Sequence, residues 1–120
     1  MLVGRLDEAR PFRTLDGSEI REVAGRVSLS TDNQSLAEAT VPPGGETQAH
    51  YHRTSEELYL FTAGHGRIRV GDEERDVTAG DCVVLPPGTP HKLWNLGDGP
   101  LMLLCCCAPA YSHDDTVITE

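Results

Sequence analysis

Residues 48–59 read QAHYHRTSEELY. His50 and His52 stand one residue apart in a strand-like run, and Glu57 follows after a short polar loop. A strand turns every second side chain to the same face, so the two imidazoles point together, roughly 6–7 Å apart at ~3.3 Å per residue. On an outer face they are two solvated rings. On the inner face of a small barrel they need a common partner, and a metal ion suits them. The same parity aligns Gln48 with the two histidines, and Tyr59 and Phe61 with Glu57.

The flanking segments are short, apolar and punctuated by turn residues. Strands are expected at Ser35–Val41, Thr47–His52, Glu57–Thr62, Arg67–Val70, Cys82–Leu85, His91–Asn95 and Leu101–Ala108. Ser18–Ser30 supplies one or two more, and Thr116–Thr119 a short last one. Turn chemistry separates them at Leu15-Asp16-Gly17, Thr31-Asp32-Asn33, Gly64-His65-Gly66 and Gly71-Asp72-Glu73. Strands at this spacing predict an all-β, antiparallel sandwich or barrel. Leu36–Ala39 has brief helical spacing, but Pro42 and Pro43 cut it short.

With 120 residues the chain is expected to form one domain over 1–120, with its core over about 35–108 and a C-terminal tail over 109–120. The formal net charge of −9 and the lack of any basic run exclude nucleic acid and anionic membrane as partners. No run of ~18 apolar residues and no signal-like leader is present, so a cytoplasmic location is expected. Cys105, Cys106 and Cys107 are consecutive, which is poor geometry for disulfides. A reducing compartment keeps them as thiols. Cys105 and Cys107 share one strand face and Cys106 takes the other. Core packing is the favoured account of them, and a thiol bordering a pocket is the alternative.

A third histidine, His91, opens a strand after the stiff loop Pro86-Pro87-Gly88-Thr89-Pro90. Three imidazoles and one carboxylate make a donor set for a divalent transition ion. Glu56 competes with Glu57 for the carboxylate role.

The spacing of these residues resembles a known family. From Gly44, five residues lead to His50-Tyr51-His52, four more to Glu57, and six more to Gly64. From Gly80, five residues lead to Pro86-Pro87-Gly88, two more to His91, and three more to Asn95. These match the two cupin motifs, and the chain resembles a small single-domain cupin with a jelly-roll, or double-stranded β-helix, barrel. The resemblance implies one divalent ion (Fe, Mn, Ni, Cu or Zn) held by His50, His52, Glu57 and His91. Glu57 is preferred to Glu56 because only it leaves six residues before Gly64. The resemblance also implies a homodimer, with Leu101–Ala108 a contributor to the contact.

Around that centre, Tyr59 and Gln48 are the candidate catalytic side chains. Tyr59 is otherwise core, and Gln48 is otherwise a polar residue near a strand end. Leu93 is expected to line the pocket beside His91. Trp94 is expected to point the other way, where it is available to a second subunit. Asn95 is expected to tie a turn. The tail with Tyr111 and His113 caps the barrel mouth, crosses to a partner, or is loosely ordered. The leading function is a non-haem dioxygenase or related oxygenase acting on a small molecule. The alternatives are a redox-neutral isomerase, cyclase or lyase using the ion as a Lewis acid, and a non-catalytic module that binds a metal or metabolite.

Overall fold

Alternating burial along the apolar runs folds the chain into two facing antiparallel sheets. The computed structural model describes all 120 residues. Its strands are β1 (Phe12–Arg13), β2 (Glu19–Ala24), β3 (Ser35–Val41), β4 (His50–His52), β5 (Glu56–Ala63), β6 (His65–Val70), β7 (Glu73–Thr78), β8 (Cys82–Leu85), β9 (His91–Asn95), β10 (Leu101–Ala108) and β11 (Thr116–Ile118). One sheet has the order β1-β2-β3-β10-β5-β8 and the other β11-β4-β9-β6-β7. The only helical element is a single 3₁₀ turn at Leu6–Glu8. This is the antiparallel double-stranded β-helix, a jelly roll. No helix is long and apolar enough to cross a membrane.

The first sheet turns three rows of side chains inward. One runs Ile20, Ala39, Leu103, Phe61; the next Glu22, Ala37, Cys105, Tyr59, Val83; the third Ser35, Cys107, Glu57, Leu85. Ile68 and Leu93 face them from the second sheet, where they are cross-strand neighbours. The core lies between the sheets and includes Phe61, Ile68, Leu85, Leu93 and Leu103. In the second and third rows β3 and β10 offer only alanine, serine and cysteine. Small side chains there cannot fill the gap between the sheets, and a cavity opens over them.

Two connections hold the second sheet in place. Gly64 has φ +91°, and a Cβ there would lie 2.6 Å from the Pro100 carbonyl oxygen, so only glycine fits. Asn95 ties the β9–β10 connection: Nδ2 donates to the carbonyls of Val41 and Gly99, and Oδ1 accepts from the Gly97 amide.

Several local expectations need correction. The sequence reading places a turn at Gly71-Asp72-Glu73 and names no strand between it and Cys82, but β7 forms there. It is an edge strand with Val77 its only buried residue, and charge suits an exposed edge. The Thr47–His52 strand shortens to β4: the Thr47 amide still donates to the Leu93 carbonyl of β9, but the Gln48 amide turns away to the Asp16 carbonyl. The segment His65–Val70 pairs from its first residue, leaving Gly64 alone as the turn. Trp94 does lie on an outer face, where Arg69 and Lys92 cover its ring at 5.7 and 5.6 Å. The tail packs on its own barrel: β11 pairs with β4, and Glu120 accepts from Lys92 Nζ and the Ala49 amide.

Candidate metal centre

β4 presents His50 and His52 inward, both buried, and Tyr51 outward. His91, first residue of β9, lies directly opposite His50 in the ladder. The three rings approach to centroid distances of 4.3–5.5 Å. One ligand nitrogen from each lies within 4.8 Å of the others. Glu57 enters from the facing sheet and is buried, whereas Glu56 is exposed. Its Oε1 sits 3.1 Å from His52 Nε2 and 3.8 Å from His91 Nε2.

Each ring is oriented by its other nitrogen. His50 Nδ1 is 2.7 Å from the Gln48 carbonyl, and His91 Nδ1 is 3.1 Å from the Thr89 carbonyl. Carbonyls only accept, so both Nδ1 atoms carry hydrogen. His52 Nδ1 is 3.0 Å from Thr116 Oγ1, whose own hydrogen is donated to the Ser112 carbonyl, so here too Nδ1 donates. In the neutral rings all three Nε2 atoms therefore present lone pairs to one another. His91 Nε2 is buried and has no hydrogen-bond partner. Facing lone pairs repel, and a buried acceptor without a donor is costly. A cation between them removes both problems, so the donor set fits a divalent transition ion.

The electrostatics point the same way. Burial, with the neighbouring His50, holds His91 down to about 4, so it is neutral at pH 7. Burial alone would also lower His52, but the hydrogen bond and charge of Glu57 outweigh it and raise the pKa. A proton on His52 is thereby favoured, because it places a positive charge beside Glu57. A metal ion would take that proton's place.

The Thr116 hydroxyl belongs to the tail, where the sequence predicts a short strand over Thr116–Thr119 but no role at the site. Thr116→Val is expected to lower metal affinity by about 10–100-fold while leaving β11 paired, because a group that orients a ligand ring through its other nitrogen carries an effect of that size. Competition against a chelator measures it. An unchanged affinity would show that His52 needs no such partner.

A cavity of about 50 Å³ lies beside this cluster. Tyr59, Leu93 and Tyr111 line it, and so do Cys105 and Cys107. Burial, reinforced by the charge of Glu57, drives the Tyr59 phenol well above its ordinary pKa, so it stays protonated. Both thiols are also raised well above theirs by burial and then by Glu57. Cys107 Sγ donates to Glu57 Oε2 at 3.1 Å, leaving Oε1 toward the histidines. Tyr111 stands edge-on to His52 at 5.9 Å and accounts for the tail's presence at the cavity, while His113 is exposed.

Gln48 does not face the interior. Its side chain is exposed, and only its carbonyl reaches His50. Shared parity requires a regular strand through residue 48, and β4 begins only at His50.

Asp16 is the site residue that sequence reading passed over as part of a turn. Its Oδ2 lies 3.6 Å from His50 Nε2. Oδ1 accepts from Thr14 Oγ1, Ser18 Oγ and the Ser18 amide. Burial would raise the Asp16 pKa, but the His50 charge and these hydrogen bonds outweigh it and hold it low. Thr-Leu-Asp-Gly-Ser signals a turn and nothing more. Only the packing of the β1–β2 loop over the barrel brings the carboxylate to the cluster.

An inward-facing histidine triad with one carboxylate is set between the sheets of a jelly roll. Residues 37–107 match the family model for the cupin domain, and the chain belongs to the cupin family. An uncharacterised protein of Methanocaldococcus jannaschii is 46% identical over 114 residues, spanning 95% of this chain and 91% of that protein. Among solved structures, Lactobacillus farciminis oxalate decarboxylase superposes with a TM-score of 0.79 at 24% identity, covering 95% of this chain and 34% of that one. The Streptomyces nucleoside dehydratase Pac13 superposes with a TM-score of 0.79 at 18% identity, covering 98% of this chain and 89% of that one. At these identities the structural likeness speaks for the fold.

Proposed function

We propose that the protein is a metal-dependent enzyme acting on a small molecule inside the barrel, with His50, His52, Glu57 and His91 holding one divalent transition ion. The observation that carries this reading is the buried, unpartnered Nε2 of His91, turned toward the Nε2 atoms of two further oriented histidines. When bound, the ion supplies Lewis acidity and, if redox-active, electron exchange with dioxygen. Four protein donors leave room for both substrate and dioxygen at an ion that accepts six ligands, so a non-haem oxygenase is the leading chemistry. Leu93, Leu103 and Ala39 exclude water from that space, and the protonated Tyr59 phenol can donate a hydrogen bond to a bound oxygen atom.

A second reading rests on Asp16. Its carboxylate stands beside the cluster with one oxygen free, placed to accept a proton from a substrate. That supports redox-neutral isomerase, cyclase or lyase chemistry. Dissolved-oxygen measurement on iron-loaded protein, with a panel of small carbonyl and hydroxy compounds, separates the two. Substrate-dependent oxygen uptake supports the oxygenase. Turnover under strict anaerobiosis overturns it in favour of the Asp16 chemistry. An ion-loaded protein that turns over nothing is a binding module.

Two copies are proposed to pair through the outer face of the first sheet. Leu36, Leu58, Leu60 and Val84 are exposed there, and Leu104 and Cys106 lie half-buried between them. Contiguous apolar patches of this kind mark association surfaces. Leu60→Glu is expected to convert a dimer to a monomer in light scattering. A monomeric unsubstituted protein would overturn the pairing.

A further inference from the structure

Glu22 is an anomaly that the metal centre does not explain. It sits in mid-strand on β2, only 7% exposed, and its Oε2 is buried without a hydrogen-bond partner. A buried carboxylate oxygen with no donor is costly, and native structures rarely keep one without a use. Register shows where it points. Glu22 shares the inward row of Ala37, Cys105 and Tyr59, and it lines the cavity. Its backbone lies three strands from that of Tyr59, about 14 Å at roughly 4.8 Å per strand. Glu22 therefore forms the wall of the cavity remote from Glu57 and His91, and the small Ala37 and Cys105 keep the space between them open.

The local backbone accommodates this placement. Gly25 packs against the carboxyl, and a Cβ there would lie 2.3 Å from Glu22 Oε1. Any larger residue would push the carboxyl from its position.

The charge around the cavity is one-sided. Asp16, Glu22 and Glu57 line it, and no lysine or arginine does. A divalent ion brings two positive charges against these three carboxylates, so the loaded cavity keeps a net negative charge. An anionic substrate tail has no counter-charge at the remote wall, and burying it beside Glu22 is strongly unfavourable.

We propose that Glu22 is a specificity-determining residue: it receives the hydrogen-bond-donating end of the substrate, an ammonium or a hydroxyl, while the other end faces the metal centre. The substrate class is then a small amino or polyhydroxy compound, not a dicarboxylate. This rests on the metal reading above.

The test uses zinc-loaded protein and three matched straight-chain hydroxamates, whose tails end in an ammonium, a methyl or a carboxylate. The hydroxamate head chelates zinc, and the tail samples the remote wall. Calorimetry is expected to rank ammonium over methyl over carboxylate, with about tenfold or more between the extremes, since charge-assisted pairing is worth that much. Glu22→Gln is expected to collapse the ratio. Gly25→Ala keeps the charge but displaces the carboxyl, and it is expected to shrink the ratio as well. Equal binding of all three tails, or a ratio unchanged in Glu22→Gln, overturns the proposal and leaves the metal reading intact. Failure of all three heads to bind, with no zinc retained, overturns both.

Discussion

Replacing His91 by alanine is expected to abolish stoichiometric retention of a divalent transition ion. Loss of a direct donor exceeds the 10–100-fold cost of disturbing an outer partner, so the affinity should fall by more than about a hundredfold. Elemental analysis after gel filtration reads this, with His50→Ala as the companion variant. The same substitution has a second signature in the metal-free protein. His91 is held down to about 4 in the fold, by burial first, against an ordinary value near 6.5. As pH falls from 6.5 toward 4, the unfolded chain takes up the proton first and the folded state loses stability. The loss amounts to about 3 kcal/mol by pH 4 and is absent above pH 6.5. His52 acts in the opposite sense, because its pKa is raised by Glu57. The acid limb of the stability curve should therefore be shallower in His91→Ala than in the unsubstituted protein. Full metal retention in the variant, with an unchanged acid limb, would dismiss the cluster as a site.

The second large effect is on stability alone. Phe61 is 1% exposed in the innermost row of the first sheet, with its ring edge-on to Tyr59 at 6.2 Å. Phe61→Ala is expected to cost about 3–5 kcal/mol, from lost transfer energy plus the void left behind. For a domain with a total of about 5–15 kcal/mol, that is a large fraction. Urea unfolding should show a lower midpoint at an unchanged slope. Val27→Ala, at an 80% exposed position, is the matched control and should move the midpoint little. A loss below about 1 kcal/mol at Phe61 would place the core elsewhere.

Much of the architecture was legible along the chain. Ser35–Val41, Cys82–Leu85, His91–Asn95 and Leu101–Ala108 form strands with the expected ends, because turn residues bracket each apolar run and turn chemistry is local. The motif glycines Gly64 and Gly80 hold turns at positive φ, +91° and +96°. The jelly roll and the family followed from the spacing of two motifs. The charged edge strand β7 escaped, because only Val77 turns inward there and periodicity needs more than one buried residue.

The sequence by itself determined the strand order in time, the turns, and which histidines and carboxylates could meet, since all of these depend on residue type and spacing. It did not determine how far each strand's alternation extends, and parity failed at Gln48, one step outside the ladder. Nor did it show that Asp16, Thr116, Cys107 and Glu22 join the cavity. Each of these reaches it through pairing or packing with residues distant in the chain, as Thr116 does opposite His52 and Cys107 opposite Glu57. Tertiary structure alone decided those placements, because long-range register is set by the whole sheet and no local pattern records it.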